Sequence, residues 1–245
     1  MITLKSTKKE APKELKIGVF GQSGVGKTTL VKTLPCEEKE VIVLNIENGL
    51  EVLRGNDFSQ IDFDDIEAQN PINKMREVVK FLRTPEGLNG FKWLVIDSFT
   101  MWAEKVQKYM ESHPSEFGLL TKAGAFDGLR MYGELKKVFG AVNDALLNIP
   151  HISKLVLFGA MEKADGPDVS MQLLIAGSFS NVCMFGYDDF YGMRVVKSDN
   201  GEKRELITGH DGYWIAKSRM SGGSKNPLEL YEEANIGNLI KKCYS

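Results

Sequence analysis

Gly21-Gln22-Ser23-Gly24-Val25-Gly26-Lys27-Thr28-Thr29 fits the spacing G-x-x-x-x-G-K-[ST]. Its flanks carry the local preferences that give this spacing meaning. Ahead of it, Leu15-Lys16-Ile17-Gly18-Val19-Phe20 is apolar and prone to extended structure. Behind it, residues 28–34 suit a helix that stops before Pro35. Strand, glycine-rich loop and helix, in that order, predict a phosphate cradle. Gly21, Gly24 and Gly26 tolerate backbone angles closed to other residues, so successive amides from Gly21 through Gln22, Ser23, Val25, Thr28 and Thr29 can curl around an anion. The start of the helix adds the positive end of its dipole. Lys27 is then expected at the β- and γ-phosphates of a nucleotide, and the Thr28 hydroxyl on Mg²⁺.

The bulk of the chain sets the frame. Its 245 residues predict one α/β domain with a sizeable core, two small domains being the second choice. Apolar residues make up 42% and charged residues 26%, which is ordinary for a globular protein and leaves no apolar run long enough to span a membrane. The first sixteen residues lack the apolar core of a signal peptide, so the expected location is the cytoplasm. A net charge of −2 excludes coating of nucleic acid by overall charge, though not binding through a local basic patch. Lys5, Lys8, Lys9 and Lys13 make residues 1–14 a basic tail, read as a solvated terminus, with residues 15–245 as the folded domain. Cys36, Cys183 and Cys243 are odd in number and widely spaced, as reduced structural thiols would be.

Further along, Val41-Ile42-Val43-Leu44-Asn45-Ile46 is apolar without alternation, as a strand buried on both faces would be. It runs into Glu47-Asn48-Gly49, a carboxylate at the strand end where parallel sheets hold ligands. Glu47 is a candidate general base or water-positioning group, against the plainer reading of a loop carboxylate or helix cap. Residues 50–70 are acidic and read as a surface segment over the sheet edge. Asn70-Pro71 predicts a helix start, with Met75, Val78, Val79 and Leu82 inward. Trp93-Leu94-Val95-Ile96-Asp97-Ser98 drives an apolar strand into an aspartate, placing Asp97 to hold the water shell of Mg²⁺, against the plainer reading of Asp-Ser at a strand end as a helix cap.

Residues 99–112 and 129–148 have helical character, the second with Leu129, Tyr132, Leu135, Phe139, Val142 and Leu146 on one predicted buried face. Between them, residues 113–127 read as a mobile loop. A strand at 154–161 is followed by a flexible-looking segment, residues 164–180. From 181 the apolar runs 182–187, 191–196 and 204–208 predict an antiparallel meander, followed by Trp214-Ile215-Ala216-Lys217-Ser218-Arg219 and a closing helix over 227–242.

Taken together, the loop at 21–28, the strand ending in Glu47, Asp97 and the late Lys217-Ser218-Arg219 resemble the RecA-like ATPase core of recombinases, RadA-type proteins and hexameric helicases. Short length and Phe126-Asp127-Gly128 with Tyr132-Gly133 look most like phage-encoded nucleotide-binding proteins, among them single-strand annealing proteins with a minimal RecA core. The resemblance implies a mostly parallel sheet flanked by helices, with antiparallel strands added in the C-terminal third. It implies ATP and Mg²⁺ as ligands, Lys27, Glu47 and Asp97 as catalytic, and Lys217 and Arg219 reaching a neighbouring subunit's nucleotide. It further implies a homo-oligomer, ring or filament, working on single-stranded DNA, with a single-strand-binding protein as a possible partner and a host cytoplasm as the setting. The usual Gln or His phosphate sensor is replaced by Ala160-Met161-Glu162-Lys163, leaving Glu162 as stand-in. Expected DNA contacts are Lys122, Lys154 and Lys163 with Phe117, Phe126 and Phe179. A helicase-like or loader motor, a small-molecule kinase and a nucleotide-binding regulator are the alternatives; the kinase lacks a recognisable arginine-rich lid.

Overall fold

A computed structural model describes residues 14–63, 70–165, 168–198, 201–219 and 227–244. The expected basic tail over 1–13, and expectations resting on 64–69, 166–167, 199–200, 220–226 and 245, fall outside it. Among the described residues five strands come first: β1 (Lys16–Gly21), β2 (Val41–Asn45), β3 (Ser59–Asp62), β4 (Trp93–Asp97) and β5 (Ser153–Asp165). Five more follow: β6 (Asp168–Leu173), β7 (Asp189–Ser198), β8 (Gly201–Ile207), β9 (Lys217–Ser218) and β10 (Tyr231–Glu233). The helices are α1 (Pro71–Phe81), α2 (Pro85–Leu88), α3 (Phe99–Ser112), α4 (Gly128–Leu147) and α5 (Ile236–Tyr244).

The sheet runs β10-β8-β7-β1-β5-β4-β2-β3, with β6 added to β5 and β9 to β7. Its centre, from β7 to β3, is parallel; β6, β8, β9 and β10 are antiparallel additions. This is the mostly parallel, helix-flanked sheet with late antiparallel strands that the RecA-like resemblance implies.

Alternation along the central strands divides their apolar residues between two cores. Phe20, Ile42, Leu44, Leu94, Ile96, Val156 and Phe158 face the larger one, under α1, α3 and α4. Val19, Val41, Val43, Trp93, Val95, Leu155 and Leu157 face the smaller, closed by Leu30, Val31, Leu34 and α5 residues Ile236 and Leu239. Both faces are covered, so the strands read as unbroken apolar runs. Trp102 on α3 lies at the middle of the larger core, fully buried, with its indole N–H donating to the Pro71 carbonyl at 3.1 Å. Asn70 caps α1 as expected, its Oδ1 accepting from the amides of Ile72 at 3.0 Å and Asn73 at 3.3 Å.

Several expectations are corrected. The helix over 28–34 is a short 3₁₀ helix, Thr28–Thr33, because Thr33 turns its hydroxyl onto the Leu30 carbonyl (2.7 Å) and Pro35 stands just beyond. The acidic segment after Glu47 supplies β3, an edge strand paired parallel to β2. Residues 113–127 are tied down: Leu120 bridges Phe126, and the Thr121 amide donates to the Ala125 carbonyl at 2.8 Å. Much of the segment expected to be flexible forms β6 against the end of β5. The first run of the expected meander is helical, Cys183–Gly186 in 3₁₀ form, because Cys183 and Tyr187 are drawn into the larger core. The closing helix begins only at Ile236, since Tyr231–Glu233 pair with β8. Leu129 and Tyr132, expected inside, are 89% and 45% exposed. They sit in the first turns of α4, ahead of the part that covers the sheet.

Trp102→Ala is expected to lower the unfolding free energy by about 3–5 kcal/mol, and Asn70→Ala by about 1 kcal/mol. Urea titrations of each variant, compared at a common m-value, check both.

Candidate functional site

The carboxyl ends of β1, β4 and β2 bring the motif residues together. β2 lies beside β4 with Asn45 level with Asp97, and β5 separates β4 from β1, with Gly159 level with Gly21. The loop leaving β1 spans that gap. Its Thr28 hydroxyl donates to Asp97 Oδ2 at 2.7 Å, so the two expected metal ligands are neighbours. Lys27 bends back over the loop, its Nζ donating to the carbonyls of Gly21 at 3.0 Å and Gln22 at 2.9 Å. Gly24 and Gly26 take φ of +80° and +96°, conformations in which a side chain would be strained.

Glu47 stands exposed just beyond β2 and is tied to the end of β4 twice. Its amide donates to the Asp97 carbonyl at 3.2 Å, and its Oε1 accepts from the Ser98 hydroxyl. Ser98 also caps α3 through the Met101 amide, at 3.3 Å. The sequence marks Asp97-Ser98 as a plain cap and gives no sign of the bond to Glu47. The Thr100 hydroxyl, accepting from the Gly159 amide at 2.9 Å, pins α3 to β5 in the same place.

Burial dominates the electrostatics. Asp97 is 2% exposed, and removal from water pushes its carboxyl up to about 6; Glu47 adds to the rise, while the Thr28 hydroxyl and Lys27 oppose it. Burial likewise lowers the Lys27 ammonium, with Glu47 and Asp97 pulling it back. A buried carboxylate beside a hydroxyl at a strand end is a hard-oxygen pair suited to Mg²⁺, which prefers a few protein oxygens plus phosphates and water. The residues present therefore fit the cation that the loop implies.

Lys217 and Arg219 lie elsewhere. Lys217 pairs with Phe190 on β7, the level of Gly18, and the Arg219 amide donates to the Asp188 carbonyl at 3.0 Å. This is the amino-terminal edge of the sheet, about 10–15 Å along the strands from the loop. Their cationic groups share one side, as their spacing predicts: Lys217 Nζ donates to the Tyr187 carbonyl at 3.0 Å, and Arg219 Nη2 to that of Phe185 at 3.1 Å. Glu162, on β5 beyond the sheet edge, accepts from the Tyr213 hydroxyl. Two of the expected DNA contacts are unavailable. Lys154 is fully buried and donates to the Ile149 carbonyl, and Phe179 is 3% exposed, stacked on Phe99 at 5.8 Å. Sequence offered no sign of Arg204, whose Nε donates to the Val25 carbonyl of the loop at 3.1 Å from 179 residues away.

A family model described as an AAA domain (AAA_24) matches residues 13–220. The chain belongs to this AAA domain family. It is a P-loop ATPase by that membership. Solved structures that align with this AAA domain include a KaiC-like protein from the archaeon Pyrococcus horikoshii, at 14% identity and TM-score 0.41, covering 79% of this chain and 77% of that one. The flagellar accessory protein FlaH from Methanocaldococcus jannaschii aligns at 9% identity and TM-score 0.43, covering 89% and 83%. No curated protein sequence matches. Among the described residues, no helix is long and apolar enough to cross a membrane.

The elevated Asp97 carboxyl gives the AAA domain a pH signature. In the metal-free fold the group keeps its proton up to about 6, whereas unfolded it ionises near 3.8, so its contribution to stability is lost as pH rises through that window. Urea midpoints measured across the window should fall by an amount equivalent to roughly 3 kcal/mol, and Asp97→Asn should flatten that fall.

Proposed function

We propose that this AAA domain is an ATP-hydrolysing, homo-oligomeric, single-stranded-DNA-binding recombination protein of the phage type, which anneals or pairs strands, with residues 15–245 acting as one domain. The observation that carries the DNA part is an exposed cluster at the start of α4. Phe126 and Tyr132 are 46% and 45% exposed, Leu129 89%, with Lys122 and Arg130 exposed beside them. Aromatic faces interleaved with cations suit unpaired bases and their phosphates, and a single strand offers both without a groove to be read. Lys163, exposed on the β5–β6 hairpin, would add to the charge.

In the cleft, the amides of 21–29 and the Lys27 ammonium would hold the β- and γ-phosphates. Glu47, oriented by Ser98, would position the attacking water and take its proton. Thr28 and Asp97 would hold Mg²⁺, which supplies charge neutralisation between the phosphates. Lys217 and Arg219 lie too far from the loop of their own chain to act there. Their place at the opposite sheet edge supports action on a neighbour's nucleotide, where added positive charge stabilises the transferring phosphoryl group.

ATP turnover should rise with single-stranded DNA, and turnover on a small acceptor with no response to DNA would favour the kinase instead. Phe126→Ala combined with Tyr132→Ala should weaken binding of single-stranded DNA at least about tenfold, as loss of base stacking does. Fluorescence anisotropy with a labelled oligonucleotide measures it.

A Lys27→Ala chain mixed with a Lys217→Ala, Arg219→Ala chain should regain turnover that neither has alone, because each supplies what the other lacks. A mixture as inactive as its parts would end the shared-site reading.

A further inference from the structure

The P-loop is walled on one side by the β7–β8 hairpin, and two of its three glycines touch that wall. A Cβ on Gly21 would lie 2.7 Å from the Met193 carbonyl oxygen of β7. A Cβ on Gly26 would lie 2.6 Å from Nε of Arg204 on β8, and 3.0 Å from its Cδ. Gly24 has no atom within 4 Å of its would-be Cβ. Glycine at 26 thus does two things: it permits φ of +96°, and it lets the arginine side chain lie against the loop backbone. Arg204 uses that approach to donate Nε–H to the Val25 carbonyl at 3.1 Å.

We propose that Arg204 is a positioning residue for nucleotide binding, which fixes the P-loop amides in their anion-binding curl by holding the Val25 carbonyl from outside. A carbonyl turned outward and bonded there leaves the loop's amides free to converge on the opposite side. Order supplied before the anion arrives is not charged against binding. The brace is itself anchored. Arg204 is held in the β8 ladder opposite Val195, and its own carbonyl accepts from the Ala234 amide at 3.2 Å. Two residues later the Ile236 amide donates to the Thr33 hydroxyl at 3.0 Å, at the far end of the P-loop's 3₁₀ helix. Loop, helix, C-terminal segment and hairpin close a ring of contacts through one arginine.

The inference rests on nucleotide binding at the P-loop and not on the DNA part of the proposed function, so its test omits DNA. Glutamine carries a side-chain nitrogen the same number of bonds from the backbone as Nε of arginine, without the charge. Methionine has similar length and no donor. ADP affinity by calorimetry and steady-state ATP kinetics are measured for Arg204→Met and Arg204→Gln, with thermal unfolding of each in the absence of nucleotide. Arg204→Met should weaken ADP binding and raise the KM for ATP about tenfold. The loss should fall on affinity rather than on kcat, because the cradle is made equally in ground and transition states. Arg204→Gln should recover most of the affinity, which a role through charge would not allow.

Unchanged affinity in Arg204→Met overturns the brace. So does a loss in Arg204→Gln equal to that in Arg204→Met, which would mean that the charge itself meets the nucleotide. A loss confined to kcat overturns it as well. If Arg204→Met does not fold, the glutamine variant alone decides between brace and charge. A wild-type chain that bound no ADP would remove the nucleotide reading, and this inference with it.

Discussion

The hydrogen bond from Thr28 to Asp97 joins the first and fourth strands of the chain across the strand that lies between them. It holds a carboxylate that is almost wholly removed from water, a costly group to keep charged. One hydroxyl donor and a partly buried ammonium do not offset that cost, which is why the carboxyl is pushed up towards neutrality. The site is therefore built around an unmet electrostatic demand. A divalent cation would meet it, and the same cation would call for phosphates, which the loop amides could receive. Metal and nucleotide would in this sense act as one ligand, divided between two strand ends.

Sheet order makes that division possible. Inserting β5 and β4 between β1 and β2 forces the loop to arch over the carboxyl edge, and it sets Glu47 beside Asp97, within electrostatic reach of Lys27. Ser98 then links Glu47 to the end of β4, so that one short stretch carries the Asp97 carboxylate, the hydroxyl bonded to Glu47 and the cap of α3. The other side of the loop has a different support. There the antiparallel hairpin abuts Gly21 and Gly26, and the C-terminal segment reaches back to Thr33. The parallel half of the fold presents the chemistry, and the antiparallel half holds the loop against it.

What could be read beforehand divides along the same line. The strands ending at Gly21, Asn45 and Asp97 were legible because burial on both faces demands unbroken apolar runs, and few other structures produce them. The caps at Asn70 and Ser98 were legible because capping is local chemistry. Asp-Ser after a strand also hid the second role of Ser98, since a capping serine and a serine that binds Glu47 look alike in sequence. Arg204 was beyond reach, because its partner is a backbone carbonyl and backbone carbonyls carry no sequence signature. Leu129 and Tyr132 misled by keeping the helical period past the point where α4 still covers the sheet: periodicity reports a face, and not whether anything lies against it. The 3₁₀ segment 183–186 misled in the opposite way, its apolar residues being strand-like in composition yet taken into the core as a turn.

The placement of Lys217 and Arg219 constrains any assembly in which they serve a neighbour. The cradle opens at the carboxyl edge of the sheet, while the two cations sit at the amino edge, held to Tyr187 and Phe185 by main-chain carbonyls. A twofold pair using both sites would have to bring both edges of both copies into one interface, spanning the full length of the strands. A head-to-tail repeat needs only one edge from each copy at each interface. Such heterologous contacts close into a ring or continue as a helical filament. The cations would have to exchange carbonyl partners for phosphate oxygens when the neighbour docks, a trade in which one set of charge-assisted hydrogen bonds replaces another. Modest net energy in that exchange would suit subunits that grip while triphosphate is bound and let go once it is cleaved. If Lys217 and Arg219 serve a neighbour, the edge-to-edge arrangement would thus favour a polar assembly whose cohesion follows the state of its nucleotide.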